Sequence, residues 1–252
     1  MKKILIKIWM PADNMKDVAA DDYNFGDRIG DWIIEQMGHE PVLYGAAEAD
    51  GTLDEFDSVL HPLGSTIGQW PEIPARLVRH YWGCGYNNRS AYDPTKQQIH
   101  SVRGPMSRAI LKLEHDLPIG DTGLLVGKFL NLEKTGDEGV LWTSHLQSEH
   151  RVTEDFLDDI VADNTLRLLI KKDDFEPACQ RIKNARMLIS SALHPVIVAA
   201  SLGVPFAFAF PPGTRPEFPL KYIDFCESIG IPFIPVRTLK QAEERLHWNR
   251  YQ

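Results

Sequence analysis

Short apolar runs alternate with segments of helical periodicity along the whole chain. The apolar runs have the length of strands, and turn-forming residues bound them. This alternation is typical of a mostly parallel sheet flanked by helices, so the pattern predicts an α/β fold. The predicted strands lie at residues 4–9, 41–44, 56–63, 79–83, 99–103, 140–143, 166–170, 187–190, 205–210 and 232–236.

The helical segments carry apolar residues at the spacing of one helix face. In the first of them, Ile29, Trp32 and Ile33 share a face, and Gly38 ends the helix. Thr153 is a predicted N-cap of a later helix. The predicted helices lie at residues 25–37, 106–115, 153–161, 175–183, 220–229 and 239–248, with a further helix that begins near His194.

A polar segment divides the pattern into two halves. Residues 131–138 are rich in charge and have no apolar periodicity, so we place the domain boundary there. We therefore expect an N-terminal Rossmann-like domain over 1–130 and a C-terminal Rossmann-like domain over 138–252, with a cleft between them.

The stretch around His194 carries the most chemical information. A short apolar run ends at Ser190 and Ser191, and an apolar helix follows. In an open α/β sheet such a turn lies at the carboxyl ends of the strands, where ligands bind. A helix start offers free N–H groups and the positive end of a dipole, so a histidine there can hold an anion or move a proton. The alternative is a histidine that only caps the helix.

Polar residues follow other predicted strands in the same way. Asn24–Asp27 opens the first helix and suits a loop around a ligand, or an ordinary N-cap. Arg103 precedes the helix at 106–115 and can hold a carboxylate or phosphate; the alternative is a surface ion pair with Asp121. Asp121 itself can act as a base, orient Arg103 or cap a turn.

Several kinds of site are not indicated. The glycine-bearing turns at 64–68 and 83–85 match neither the dinucleotide-binding nor the P-loop pattern. His145 and His150 lack an evident third ligand, so no metal is expected. The three cysteines are scattered and form no CxxC pair, which argues against disulfides and zinc and favours a cytoplasmic location.

Composition and charge narrow the class of protein. The apolar fraction is ordinary for a globular protein, and no run reaches the length of a membrane span. The net charge of -8 argues against a general nucleic-acid binder.

Taken together, the strand-end pieces resemble the polysaccharide pyruvyl transferase family, whose members resemble B-type glycosyltransferases. The resemblance implies transfer of the enolpyruvyl unit of phosphoenolpyruvate onto a sugar as a cyclic ketal, without a cofactor. The pieces that carry the likeness are Asn24–Asp27, Val102–Arg108, Gly120–Asp121 with Leu124–Leu125, and Ser190–His194 with Ala199 and Gly203–Pro205.

The resemblance also implies roles for individual residues. His194 donates a proton or neutralises phosphate, and Asp27 or Asp121 accepts a proton from a sugar hydroxyl. The N-terminal domain would take the acceptor and the C-terminal domain the donor. The residues implied in binding substrate are Asn24, Gly26, Arg103, Ser190, Ser191 and Leu193.

The implied partners are phosphoenolpyruvate and a sugar or lipid-linked oligosaccharide of a bacterial exopolysaccharide or cell-surface glycan. Such an acceptor is compatible with contact at the inner face of the membrane. Two alternatives stay open: a nucleotide-sugar-dependent glycosyltransferase, and a non-catalytic glycan-binding protein. Ala192, where many family members have a polar or basic residue, favours the second alternative, and Pro195 also departs from the family pattern.

Overall fold

The computed structural model describes residues 1–8, 22–68, 73–86, 93, 95–214 and 219–249, with side chains except at 147 and 246–249. Residue 9, the end of the first predicted strand, lies outside these ranges. In chain order the strands are β1 (Lys3–Ile6), β2 (Asp22–Asn24), β3 (Glu40–Leu43), β4 (Ser58–His61), β5 (Val78–Tyr81), β6 (Gln97–Ile99), β7 (Val140–Thr143), β8 (Asn164–Thr165), β9 (Leu169–Lys171), β10 (Met187–Ser190) and β11 (Phe206–Phe208). The helices are α1 (Phe25–Gln36), α2 (Tyr44–Ala49), α3 (Pro105–Ile110), α4 (Val126–Phe129), α5 (Glu154–Asp159), α6 (Phe175–Asn184), α7 (Leu193–Ser201), α8 (Leu220–Ser228) and α9 (Leu239–Asn249).

The chain folds into two compact units. The first contains the described parts of Met1–Asp13, Asp27–Gly123 and Phe218–Pro232. The second contains the described parts of Asn14–Gly26, Leu124–Glu217 and Phe233–Gln252. The domain ranges 1–130 and 138–252 stay a prediction; the units differ from them in the described parts of three segments, 14–26, 124–130 and 218–232.

A five-stranded parallel sheet, in the order β3-β1-β4-β5-β6, forms the centre of the first unit. Leu5 and Val59 pack on one face against Tyr44 and Ala47 of α2. Neighbouring side chains of a strand point to opposite faces, so the residues directly before and after Leu5 and Val59 do not belong to this cluster.

A helix from late in the chain completes the first unit. Asp224 of α8 is buried and accepts hydrogen bonds from the backbone N–H (3.0 Å) and the hydroxyl (2.6 Å) of Ser107 in α3. A side chain at Gly104 would overlap the backbone of Asp224, so glycine permits this close packing. The contact explains why residues 219–232 belong with the first unit.

The second unit contains a four-stranded parallel sheet in the order β11-β10-β7-β8. All residues of β7 and β10 are buried, as expected for central parallel strands covered on both faces. Trp142 and Ile189 share a core with Phe156 of α5. Thr153 caps α5 by accepting from the Phe156 N–H, as predicted.

The second unit also holds a small antiparallel pair, β2 with β9. The aromatic rings of Phe25 and Phe175, which follow these strands, pack with their centroids 5.3 Å apart. Lys171 and Asp22 form an ion pair at 2.6 Å. The two parallel sheets confirm the predicted α/β class, and this antiparallel pair is an addition to it.

Some predicted elements were wrong in their extent. The strand predicted at 232–236 is absent, and the described residues there make one bridge, Val236 to Ala209. Pro232 and Pro235 have no N–H to donate to a ladder, which is the physical reason. The helix predicted at 106–115 ends at Ile110, and Lys112 adopts a left-handed φ of 53°. The strand predicted at 166–170 is displaced to β9.

Among the described residues, no helix combines the length and the apolar composition that crossing a bilayer requires.

Candidate functional site

His194 is the second residue of α7, directly after the turn that follows β10. The N-cap residue, Ala192, is extended (φ -101°, ψ 147°) and offers no side chain to cap the helix. The first-turn N–H groups of α7 therefore have no N-cap side chain to satisfy them. The local sequence thus forms a nine-residue helix with a half-buried imidazole at its positive end.

Gly26 lies directly against the imidazole of His194. A Cβ atom at residue 26 would lie 2.6 Å from Cγ of His194 and would overlap Nδ1. Only glycine fits this approach, because it has no side chain. The Gly26 N–H also donates to Oδ1 of Asn24 at 3.2 Å. Two of the sequence-predicted pieces, residues 24–26 and His194, are therefore brought together within the second unit.

The serines before His194 are engaged in shaping the turn. Oγ of Ser190 accepts from the Ala192 N–H at 2.8 Å and lies 3.0 Å from the carbonyl oxygen of Thr143. Oγ of Ser191 accepts from the His145 N–H at 2.8 Å. Both serines are buried, as is Leu193. Their predicted contact with substrate stays a prediction, and what they do in the structure is fix the loop.

His145 is a residue that the sequence reasoning missed at this place. β7 and β10 are parallel neighbours in which Thr143 pairs with Ser190, so the segments that follow them leave the same edge of the sheet. His145 follows β7 as His194 follows β10. The argument from strand ends that selected His194 would also have selected His145 if it had been applied to β7.

The first unit holds a second cluster, formed by Arg103 and Asp121. Nε of Arg103 donates to Oδ2 of Asp121 at 2.9 Å, and Nη1 donates to Oγ of Ser65 at 2.9 Å. Oδ1 of Asp121 accepts from the Gly123 N–H at 2.9 Å. The two charged side chains are 1% and 0% exposed. The ion pair that the sequence left open as an alternative does form, but it is buried rather than on the surface.

The lack of a side chain at Gly85 leaves room for the guanidinium group of Arg103. A Cβ atom at residue 85 would lie 3.0 Å from Cζ of the guanidinium group. The glycine-bearing turn after β5 thus packs on the ion pair. The predicted binding of a substrate carboxylate or phosphate by Arg103 stays a prediction, as does the predicted role of Asp121 as a base.

Asp27 is half-buried in the first turn of α1. A carboxylate at this place interacts favourably with the N-terminal end of the helix dipole. By compactness it belongs to the first unit, while Asn24 and Gly26 belong to the second. Its predicted role as a base also stays a prediction.

Two buried groups of the first unit, Cys84 and His61, are held neutral. Burial raises the pKa of the Cys84 thiol to about 12, and Sγ of Cys84 lies 3.1 Å from the His61 carbonyl oxygen. Burial, with Arg79 and Lys7 as further causes, lowers the pKa of His61 to about 3. The His61 ring stacks on Tyr81 with a centroid separation of 4.6 Å. Neither group is a nucleophile or an acid at neutral pH.

Within the described ranges, no three side chains of His, Cys, Asp or Glu lie together as a metal site requires.

Comparisons with known proteins give remote likenesses. No protein-family model matches the chain. An uncharacterized protein of Acanthamoeba polyphaga mimivirus is 25% identical over 220 residues, which cover 83% of this chain and 72% of that protein. Likeness at this level assigns neither a family nor an activity.

Two solved structures are similar in outline. A functionally uncharacterized protein from Klebsiella pneumoniae has a TM-score of 0.49 and 12% identity, with 93% of each chain covered. A protein from Listeria monocytogenes described as a UDP-N-acetylglucosamine 2-epimerase has a TM-score of 0.48 and 11% identity, with 98% of this chain and 87% of that one covered. The α/β class of the present chain rests on its own two parallel sheets.

Proposed function

We propose that this protein transfers the enolpyruvyl unit of phosphoenolpyruvate onto a sugar as a cyclic ketal and releases phosphate. The sugar belongs to a bacterial exopolysaccharide or cell-surface glycan, and it is free or lipid-linked. The donor is assigned to the second unit, and the acceptor to the first. The observation that carries the proposal is the close approach of Gly26 to His194 at the start of α7.

The chemistry of this helix start suits the donor. Phosphoenolpyruvate carries a carboxylate and a phosphate, and a helix N-terminus favours negative charge. His194 adds an imidazole that switches its charge near physiological pH. The contact with Gly26 and the turn fixed by Ser190 and Ser191 hold that imidazole in place. A pre-positioned acid at an anion site is what protonation of the donor requires.

The proposed transfer adds two hydroxyls of the sugar, one after the other, to the same carbon of the donor. His194 donates a proton to the methylene carbon, which becomes a methyl group, and positive charge develops at the neighbouring carbon. One sugar hydroxyl adds to that carbon and loses its proton. The carbon–oxygen bond to phosphate then breaks, and a second hydroxyl of the sugar adds and loses its proton. One of the two released protons returns to His194 and the other leaves with phosphate.

Asp27 is the carboxylate that we assign as the first acceptor of these protons, which it passes on to His194 and to the departing phosphate. Asp121 is buried, and its two oxygens already accept from Arg103 and Gly123. A base must reach the proton that it removes. Asp27 is half-buried rather than enclosed, which fits the role better. The Arg103–Asp121 pair is then a positioning element for the loops of the first unit.

The test is ketal formation by variants of His194. Purified protein is given phosphoenolpyruvate and candidate glycans, phosphate release is followed, and the pyruvate ketal is detected by mass spectrometry. We expect His194→Ala and His194→Gln to lower the rate about 10²- to 10⁴-fold, the usual contribution of a general acid. His115→Ala, which removes an exposed histidine of the first unit, is the matched control. Unchanged ketal formation in both His194 variants, with folding verified by circular dichroism, would refute the role.

The two competing functions are separated by a ligand comparison on the wild-type protein. A thermal shift with phosphoenolpyruvate, and none with UDP- or GDP-sugars, supports the proposal. A shift with a nucleotide sugar alone indicates a glycosyltransferase. A shift with glycan alone, and no phosphate release, indicates a binding protein without turnover.

A further inference from the structure

A cavity of about 620 Å³ lies in the first unit, and none of the candidate site residues discussed above lines it. Ile4 and Leu60 line it from strands β1 and β4, and Ile34 lines it from α1. Its volume is that of a small-molecule site, which typically measures about 300–1,000 Å³. The apolar lining favours a ligand with a hydrophobic body.

Two of the polar side chains that line this cavity are histidines in direct contact. His80 lies opposite Leu60 in the register of β4 and β5, and His100 follows β6. Nδ1 of His80 and Nε2 of His100 are 2.8 Å apart, while the ring centroids are 5.1 Å apart and the planes differ by 8°. The rings therefore meet edge to edge, as a hydrogen bond requires, and do not point together at a common metal ion.

The hydrogen bond fixes what the pair offers to a ligand. One facing nitrogen carries the hydrogen and the other accepts it, so the two outer nitrogens are one donor and one acceptor. If the pair gains one proton, both outer nitrogens become donors. A second proton would place hydrogens on both facing nitrogens, and the resulting repulsion prevents it. The pair thus takes up a single positive charge.

Besides the histidines, two lysines and two acidic residues line the cavity, and their charges cancel. Burial, and the neighbouring His100, lower the pKa of His80, so His80 is mostly neutral at pH 7. No net charge from the remaining side chains competes with a charge on the pair at that pH. The remaining titratable groups that line the cavity are Lys2, Lys3, His39, Glu55 and Asp57.

We propose that this cavity binds a small planar aromatic carboxylate, with the carboxylate on the His80–His100 pair and with uptake of one proton by the pair. The ring of the ligand lies on Ile4 and Leu60, and Trp82 adds an aromatic neighbour. The negative charge stabilises the protonated pair, so binding and proton uptake are linked. This site is independent of the proposed transfer reaction.

The experiment uses 2-naphthoate as the probe and the whole protein. Isothermal titration at pH 7.5 in two buffers of different ionisation enthalpy counts the protons taken up on binding. We expect one saturable site, uptake approaching one proton, and affinity that falls about tenfold per pH unit between pH 7 and pH 8. 2-Naphthalenemethanol, which has the same rings and no charge, should bind without proton uptake.

Variants locate the proton. The double variant His80→Gln/His100→Gln keeps hydrogen-bonding groups but cannot take up the proton, so its affinity for 2-naphthoate should not depend on pH in this range. His115→Gln should behave as wild type. Absence of saturable binding, or undiminished proton uptake in the double variant, overturns the proposal. If the double variant fails to fold, equal proton uptake with the acid and the alcohol on wild-type protein overturns it.

Discussion

His61 makes the stability of the first unit depend on pH. Its side chain is fully buried, and burial lowers its pKa from 6.5 to about 3. As the pH falls below 6.5, the unfolded chain binds a proton at this residue and the folded chain does not. The contribution of neutral His61 to the free energy of unfolding is therefore fully present above pH 6.5 and is lost progressively as the pH falls towards 3.

The size of the effect follows from the same shift. Between pH 7 and pH 5 the linkage at His61 lowers the free energy of unfolding by about 2 kcal/mol, and between pH 7 and pH 3 by about 4 kcal/mol. The variant His61→Phe keeps a flat ring on Tyr81 and cannot be protonated. It should therefore lose about 2 kcal/mol less than wild type between pH 7 and pH 5.

Urea denaturation followed by circular dichroism at several pH values measures this difference. The transition of the first unit is the relevant one, because two compact units can unfold separately. The quantity to compare is the change of the free energy of unfolding with pH. A constant difference in stability between variant and wild type does not affect it. His115→Gln, at an exposed histidine, should leave the slope unchanged. A His61→Phe protein with the wild-type slope would refute the argument that His61 is buried in its neutral form.

Two further predictions concern the glycine beside the candidate site and the buried ion pair. Gly26→Ala should displace the His194 ring, seen as a shift of its NMR signals, and lower ketal formation. Gly45→Ala, at an exposed position of α2, is its control; with nothing within 4 Å of the added Cβ, it should stabilise the protein by about 0.5–1 kcal/mol. Asp121→Asn leaves a buried guanidinium unpaired and should cost about 3–5 kcal/mol in urea denaturation. Asp54→Asn, in a pair whose carboxylate is 94% exposed, should cost under about 1 kcal/mol, and equal costs would contradict the distinction.

The central strands were predictable because their signal is local. β7 and β10 have the predicted bounds 140–143 and 187–190, since a strand buried on both faces is a short continuous apolar run. The start of α7 near His194 was predictable for the same reason, because an apolar helix follows a polar turn. These features depend on neighbours in sequence alone.

What the sequence did not reveal depends on contacts between distant residues. The hydrogen bonds of Asp224 to Ser107 join residues 117 positions apart, and no local pattern marks them. Arg103 reads as a ligand-binding arginine at a strand end, and its burial against Asp121 is visible only in three dimensions. The approach of Gly26 to His194 is of the same kind. The position of a residue at a strand end was predictable, but the direction and the contacts of its side chain were not.

The placement of α8 has a consequence for how the protein is made. The N–H and hydroxyl of Ser107 find their buried partner, Asp224, only after the ribosome has added more than a hundred further residues. The first unit therefore cannot complete its packing while it emerges, although its five strands come early in the chain. A fragment ending at residue 130 would expose the surface of α3 that α8 covers, so expression of that half alone should favour aggregation.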